Sequence, residues 1–109
     1  MVAKNRDEAE KLMRKYPDRI PVIVSRNKHS TTTPEIDKHK YLVPCDLTAG
    51  QLLYVIRKRL NISSDKGLFL FVNKSVMNTN TLISSIYEQE QCKEDGFLYV
   101  VYSCESVFG

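Results

Sequence analysis

The chain has 109 residues, of which 42% are hydrophobic and 27% are charged. These proportions are ordinary for a globular protein, and the length suits one domain with one hydrophobic core. The net charge of +3 is uneven, because residues 1–40 hold ten lysines and arginines against six carboxylates. We therefore expect a single domain over residues 1–109, whose basic amino-terminal part is either a solvated face or a contact for an acidic partner.

The cysteines indicate the compartment. Cys45, Cys92 and Cys104 are odd in number and form no Cys-x-x-Cys pattern, and no signal peptide precedes them. A reducing compartment fits this usage best, so we expect a cytoplasmic protein. No apolar run approaches the roughly 18 residues that a membrane-spanning helix needs. Any attachment to a membrane must therefore be added to the chain after synthesis.

Residues 1–17 are expected to form a helical extension before the first strand. A helix is predicted over Arg6–Tyr16, and Pro17 ends it because the residue before a proline is disfavoured in helical geometry. The first strand is predicted at Ile20–Val24, and Pro21 within it favours a position at a sheet edge. The predicted helix carries one narrow apolar stripe, formed by Ala9, Leu12, Met13 and Tyr16.

The next stretch predicts a short strand, a turn and a capped helix. The strand covers Lys40–Pro44, and its proline indicates a short strand or a sheet edge. Thr48 and Gln51 have the spacing of a capping box, directly before an apolar run. The following helix is predicted over Ala49–Leu60, and its apolar face repeats every four residues at Leu52, Ile56 and Leu60.

The remaining elements complete an α+β order. We predict a buried strand at Leu68–Val72, a short strand at Val76–Met77, a helix over Thr81–Glu90 and a last strand at Phe97–Tyr102, followed by a tail at 103–109. A helix followed by β-β-α-β-β-α-β is the order of the ubiquitin-like β-grasp. We therefore expect a mixed sheet wrapped on the central helix, with the one N-terminal helix packed outside.

No catalytic arrangement emerges from the residue pattern. His29 and His39 lie in or beside a polar loop, and a Cys45–His39 nucleophile is weaker than the interpretation of Cys45 as a small packing residue. Neither metal-ligand spacing nor a glycine-rich phosphate loop is present. The aromatic residues lie within apolar runs rather than between basic residues, and the pI is 8.8, which argues against nucleic acid. We expect no enzyme, no cofactor and no metal.

The carboxyl end suggests chemistry of another kind. The sequence stops at Gly109, after an apolar strand and a short polar tail. A main-chain carboxylate that partner enzymes activate and transfer needs an unhindered last residue, and glycine meets this requirement.

Four segments resemble the autophagy ubiquitin-like modifiers, the family of autophagy-related protein eight, GABA-receptor-associated protein and microtubule-associated light chain three. They are Lys15–Val24, Asp37–Leu60, Leu68–Asn73 and Asp95–Gly109. The resemblance implies conjugation of Gly109 to phosphatidylethanolamine by activating and conjugating enzymes, and residence on the autophagosome membrane when lipidated. It also implies a processing and delipidating cysteine protease, and cargo receptors that present acidic residues before an aromatic-x-x-aliphatic core.

The same resemblance assigns a docking groove to the predicted edge strand, which a peptide would extend as an added strand. An aromatic pocket matches Glu8, Leu12, Pro21, Ile23, Lys40, Leu42 and Phe97. An aliphatic pocket matches Tyr41, Val43, Pro44, Leu47, Leu52 and Val55. Contacts for the acidic flank match Arg19, Lys38 and Arg59, with Lys40 beside them.

The sequence departs from the family at three places. Residues 1–17 have room for one helix where the family has two, and Met77-Asn78 replaces a pair of prolines. No residue follows Gly109, so we expect either a chain cut to its mature form or a gene that encodes that form directly. An unconjugated adaptor that uses the same groove is the alternative function.

Overall fold

A computed structural model describes residues 2–105 of the chain. The sheet has the order β2-β1-β5-β3-β4, in which β1 and β5 are parallel and the other neighbours antiparallel. This mixed sheet with three helices confirms the predicted α+β, ubiquitin-like arrangement. The elements are α1 (Val2–Lys15), β1 (Arg19–Arg26), β2 (Lys40–Pro44), α2 (Ala49–Leu60), β3 (Phe69–Val72), β4 (Ser75–Val76), α3 (Ile83–Glu90) and β5 (Leu98–Ser103).

Helix α2 begins and ends at the predicted residues, because both of its ends are capped. The N–H of Gln51 donates to the hydroxyl of Thr48 at 3.2 Å, and the N–H of Thr48 donates to the side-chain oxygen of Gln51 at 2.9 Å. At the other end, Asn61 adopts φ 57°, and its N–H donates to carbonyls of the last turn. Leu52 and Ile56 are fully buried, so α2 forms the centre of the core.

The sheet has two covered faces. Ile20, Val22 and Val24 belong to the main core cluster with α2. Successive side chains alternate along a strand, so Pro21 and Ile23 belong to the opposite face. Helix α1 packs against β1, and two residues buried outside the main cluster are Ala9 and Phe97. The N-terminal helix therefore lies outside the α2 core, as predicted.

The prediction that β1 lies at an edge is wrong, because β1 pairs with β2 on one side and with β5 on the other. Proline is tolerated there for a local reason. The N–H of Val24 donates to the carbonyl of His39 in the β2 direction at 2.7 Å, so the alternate position, Pro21, turns its nitrogen towards β5. The parallel ladder with β5 starts only at Val22. Pro21 thus lies just before the ladder in which an N–H is required.

Several boundaries differ from the predicted ones by a few residues. Helix α1 begins at Val2 instead of Arg6, and Tyr16 is exposed beyond its end. Helix α3 begins at Ile83 rather than Thr81, because Leu82 has extended backbone angles and serves as the N-cap.

The interpretation of Cys45 as a packing residue is wrong, since Cys45 is exposed. The turn at the end of β2 points its side chain to solvent.

Candidate functional site

Strand β2 is an edge of the sheet, and its outward backbone positions follow from its pairing with β1. Ile20 opposes Val43 and Val22 opposes Tyr41. In an antiparallel pair, every second residue bonds to the neighbouring strand, and the bond from Val24 to the carbonyl of His39 shows which ones do. Tyr41 and Val43 therefore bond to β1, whereas the backbone groups of Lys40 and Leu42 point outward.

The free edge of β2 ends at Pro44. This residue has no N–H, and its carbonyl accepts the N–H of Leu47 at 3.1 Å. Lys40 and Leu42 therefore supply the outward N–H and C=O groups within β2. An added strand would find a ladder only a few residues long, which matches a short linear peptide better than a second sheet.

One side of this edge presents the residues predicted for the aromatic pocket. Pro21 lies opposite Leu42, and Ile23 lies opposite Lys40, so these four side chains share one face. Phe97 is buried at 1% exposure, and its ring lies beneath the Lys40 ammonium group, 5.8 Å from centroid to nitrogen. From α1 the half-buried residues of the predicted set are Glu8 and Leu12.

Lys40 connects this face to α1. Its Nζ lies 2.6 Å from Oε1 of Glu8, and both side chains are partly exposed. The pair spans 32 positions of sequence. The Glu8 carboxylate therefore already pairs with the ammonium group that Lys40 would offer to an acidic peptide.

The other side of β2 presents the residues predicted for the aliphatic pocket, between β2 and α2. Leu52 and Val43 are buried, whereas Tyr41 and Leu47 are half-buried. Pro44 is exposed, and Val55 is 42% exposed on α2. Val43 and Leu52 belong to the main core cluster, against which Tyr41 and Leu47 pack, and Val55 adds exposed apolar surface on α2.

Tyr41 carries an unusual polar group within this apolar site. Its hydroxyl is buried and has no hydrogen-bond partner among the residues that the structure describes. Burial raises the pKa of Tyr41, with a smaller opposing contribution from Arg59. The Lys38 ammonium group lies 5.1 Å from the ring centroid. A buried hydroxyl without a partner is uncommon in native structures.

The cations predicted for the acidic flank differ in their surroundings. Nε of Arg59 donates to Oδ1 of Asp37 at 2.9 Å, and this bond lowers the pKa of Asp37 and raises that of Arg59. Arg19 is exposed at the start of β1, opposite Pro44. Arg59 and Lys40 are therefore both paired with carboxylates in the absence of a ligand.

The predicted conjugation residue, Gly109, lies outside the described residues. The last part of the chain that the structure does describe is held by the threonine-rich loop. The hydroxyl of Thr33 accepts the N–H of Cys104 at 2.9 Å. The hydroxyl of Thr32 donates to Glu105 at 2.6 Å. These contacts could not be predicted from the sequence, since the only signal was the polar character of a loop 73 positions away.

The structure also describes the surroundings of both histidines. His39 bonds through Nδ1 to the carbonyl of Val24 at 2.8 Å, and His29 is an exposed loop residue. Residues 2–105 contain no group of three or more potential metal ligands. Within the same range, none of the helices has the length and apolarity to cross a bilayer.

The fold and the site together define a ubiquitin-like protein with an accessible edge strand between two apolar surfaces. The family model for "Autophagy protein Atg8 ubiquitin like" matches residues 4–109. Autophagy-related protein 8e of Arabidopsis thaliana is 53% identical over 97% of this chain and 85% of its own length. Autophagy-related protein 8 of Mycosarcoma maydis is 53% identical over 97% of this chain and 88% of its own length. Autophagy-related protein 8 of Candida albicans is 52% identical over 97% of this chain and 77% of its own length. The chain belongs to the Atg8 family of ubiquitin-like autophagy proteins.

Proposed function

We propose that this protein is a ubiquitin-like modifier that is joined through Gly109 to phosphatidylethanolamine and recruits autophagy receptors to the membrane. The activating and conjugating enzymes of autophagy would be its first partners, and a cysteine protease would process and release it. It would be cytoplasmic before conjugation and attached to the autophagosome membrane afterwards. No catalytic step is assigned to its own side chains.

The observation that carries the recruiting role is the edge of β2. Lys40 and Leu42 turn their backbone groups outward, as the alternation with β1 requires. An apolar site lies on each side of the strand, so alternate residues of an added peptide would point into different sites. This geometry supports recognition of an aromatic residue and an aliphatic residue three positions later.

Not all of the residues predicted for the two pockets are accessible to a peptide. Pro21, Leu52 and Phe97 are almost completely inaccessible, so they support the groove from below. The surfaces a peptide could contact are those of the accessible members, among them Ile23, Leu42, Leu47 and Val55. With two anchoring side chains worth about 1.5–3 kcal/mol each, partly offset by the cost of ordering the peptide, we expect dissociation constants of about micromolar.

The docking function can be tested with an acidic aromatic-x-x-aliphatic peptide and isothermal titration. The double variant Lys40→Ala/Leu42→Ala should abolish measurable binding. A matched control is Lys74→Ala/Val76→Ala, which removes a lysine of the β3–β4 turn and an aliphatic residue of β4, two positions apart, at the opposite edge of the sheet. Binding that survives in the first variant, or is lost equally in both, contradicts the assignment of the groove to β2.

The conjugation function needs a separate experiment. The chain is incubated with the activating and conjugating enzymes, ATP and liposomes that contain phosphatidylethanolamine. The wild-type chain should become lipidated and Gly109→Ala should not, because the terminal carboxylate is the proposed acyl donor. Equal lipidation of both chains contradicts this mechanism. Peptide binding without any lipidation of the wild-type chain favours the unconjugated adaptor.

A further inference from the structure

A basic cavity lies at the opposite end of β5 from Lys93 and Glu94, whose carbonyls accept hydrogen bonds from the Arg6 side chain of α1. It has a volume of about 640 Å³ and opens beside the end of β1 and the turn between β3 and β4. Its charged or titratable lining residues are Arg26, Lys28, His29 and Lys74, and no carboxylate is among the lining residues. It shares no residue with the proposed peptide groove.

The positive charge of the cavity comes mainly from its two lysines. The guanidinium group of Arg26 donates to the carbonyl of Thr33 at 3.0 Å and lies 3.3 Å from Glu35, so Glu35 largely offsets its charge. Lys28 and Lys74 are exposed, and within residues 2–105 neither has an ion-pair partner. A compact anion entering the cavity would therefore meet about two uncompensated charges.

The cavity lies at the end of the sheet from which the tail departs. Strands β1 and β5 are parallel, and Arg26 pairs with Tyr102 near the end of both. The N–H of Asn27 donates to the carbonyl of Tyr102 at 2.9 Å. Glu105 is held by Thr32 of the same loop, and Gly109 is four positions further along the chain. Four residues span at most about 14 Å.

From this juxtaposition we propose that the cavity binds the phosphate group of an anionic lipid headgroup and thereby orients the domain on the membrane. The inference rests on the proposed conjugation of Gly109, which brings lipid headgroups within reach of the cavity. Lysines suit this task, since an ammonium group is a compact charge that contacts phosphate without requiring bidentate geometry. The groove on β2 lies at the other side of β1 and stays open to peptides.

The test uses the unconjugated chain, so that it does not depend on lipidation. Partition to vesicles of phosphatidylcholine is compared with partition to vesicles that also contain phosphatidylglycerol, at low salt. The wild-type chain should prefer the anionic vesicles. Lys28→Gln/Lys74→Gln should weaken that partition roughly tenfold to thirtyfold, since each lysine near an anionic surface contributes about 1 kcal/mol. A failure of enzymatic lipidation would leave this result unchanged.

The matched control is Lys11→Gln/Lys93→Gln, which removes the same charge from α1 and from the loop before β5. It should retain most of the preference for anionic vesicles. An equal loss in both double variants would overturn the proposal, because net charge alone would then explain binding. A titration with inorganic phosphate, monitored by amide NMR shifts, distinguishes a lipid headgroup site from a site for soluble phosphate. Shifts at residues 25–29 without any dependence of vesicle binding on Lys28 and Lys74 would indicate a site for soluble phosphate and overturn the lipid assignment.

Discussion

The ammonium group of Lys40 on β2 lies 2.6 Å from the carboxylate of Glu8 on α1. Glu8 is therefore a competitor for the same cation that an acidic peptide would use. The pair is partly exposed, so its contribution to folding stability is small. Its larger consequence concerns peptide binding, because a peptide carboxylate must replace Glu8 beside Lys40 or share the ammonium group with it.

We predict that Glu8→Gln strengthens binding of an acidic-flanked peptide about twofold to fivefold, the range that an exposed ion pair provides. A peptide with a neutral flank should bind the variant and the wild-type chain equally. Isothermal titration with both peptides measures the difference. Glu10→Gln is the control, since it removes another α1 carboxylate, one that pairs with Arg6 at 3.6 Å. An equal gain from both substitutions would indicate a general charge effect.

Asp37 plays the corresponding part for Arg59. Their hydrogen bond lowers the pKa of Asp37, so the carboxylate is ionised and engaged at neutral pH. Asp37→Asn should free Arg59 and increase the affinity for an acidic flank, and the gain should shrink as salt is added. Fluorescence anisotropy at two salt concentrations tests this. The exposed Asp46→Asn serves as the control, and a loss of affinity in Asp37→Asn would mean that Asp37 positions Arg59 for binding.

Thr33→Val should release the start of the carboxyl-terminal tail. The Thr33 hydroxyl accepts the N–H of Cys104 and lies 2.6 Å from the hydroxyl of Ser30, and the residue is 2% exposed. Valine leaves these partners unsatisfied in a buried position, which costs about 1–3 kcal/mol. We expect a lower free energy of unfolding and faster hydrogen exchange at the Cys104 amide.

Two controls separate this effect from a general loss of stability. Thr33→Ser keeps the hydroxyl and should protect the Cys104 amide nearly as well as threonine does. Thr31→Val changes an exposed residue of the same loop and should have little effect. Unchanged exchange at Cys104 in Thr33→Val would show that the tail is held by other contacts.

Asp95 makes stability depend on pH in the acidic range. The residue is 2% exposed and accepts hydrogen bonds from the hydroxyl of Tyr99 and the N–H of Phe97. Burial alone would raise its pKa, but these bonds outweigh it, and the pKa is lowered. Burial, together with the same contact with Asp95, raises the pKa of Tyr99 to about 12.

Because the pKa of Asp95 is lower in the folded chain, the unfolded chain takes up the proton first as the pH falls. The contribution of Asp95 to folding stability is therefore fully present above its pKa in the unfolded chain, about 3.9, and decreases as the pH falls below that pKa. Asp95→Asn should be less stable at neutral pH and lose less further stability on acidification. Urea denaturation at several pH values measures both effects. Parallel pH profiles for the two chains, with Glu88→Gln as an exposed control, would contradict this role for Asp95.

Much of the local structure could be predicted because its causes are local. Thr48 and Gln51 are three positions apart, and together they begin α2 at Ala49 as their spacing indicates. Pro44 limits the free edge of β2 because it offers no N–H on that side. The resemblance then placed a groove along β2, and the register of β2 on β1 brings Pro21, Ile23, Lys40 and Leu42 to one face.

The sequence by itself thus determined which segments form helices and strands, and that β2 offers a short, proline-limited ladder. Only the tertiary structure decided that β1 lies between β2 and β5, so that Pro21 turns its nitrogen to a point before the second ladder begins. It also decided which carboxylates hold the cations, since Glu8 and Lys40 are 32 positions apart and Asp37 and Arg59 are 22 apart. Capping and periodicity act within a few residues, whereas strand order and ion pairing depend on how distant segments pack, and a single sequence carries no local signal for that packing.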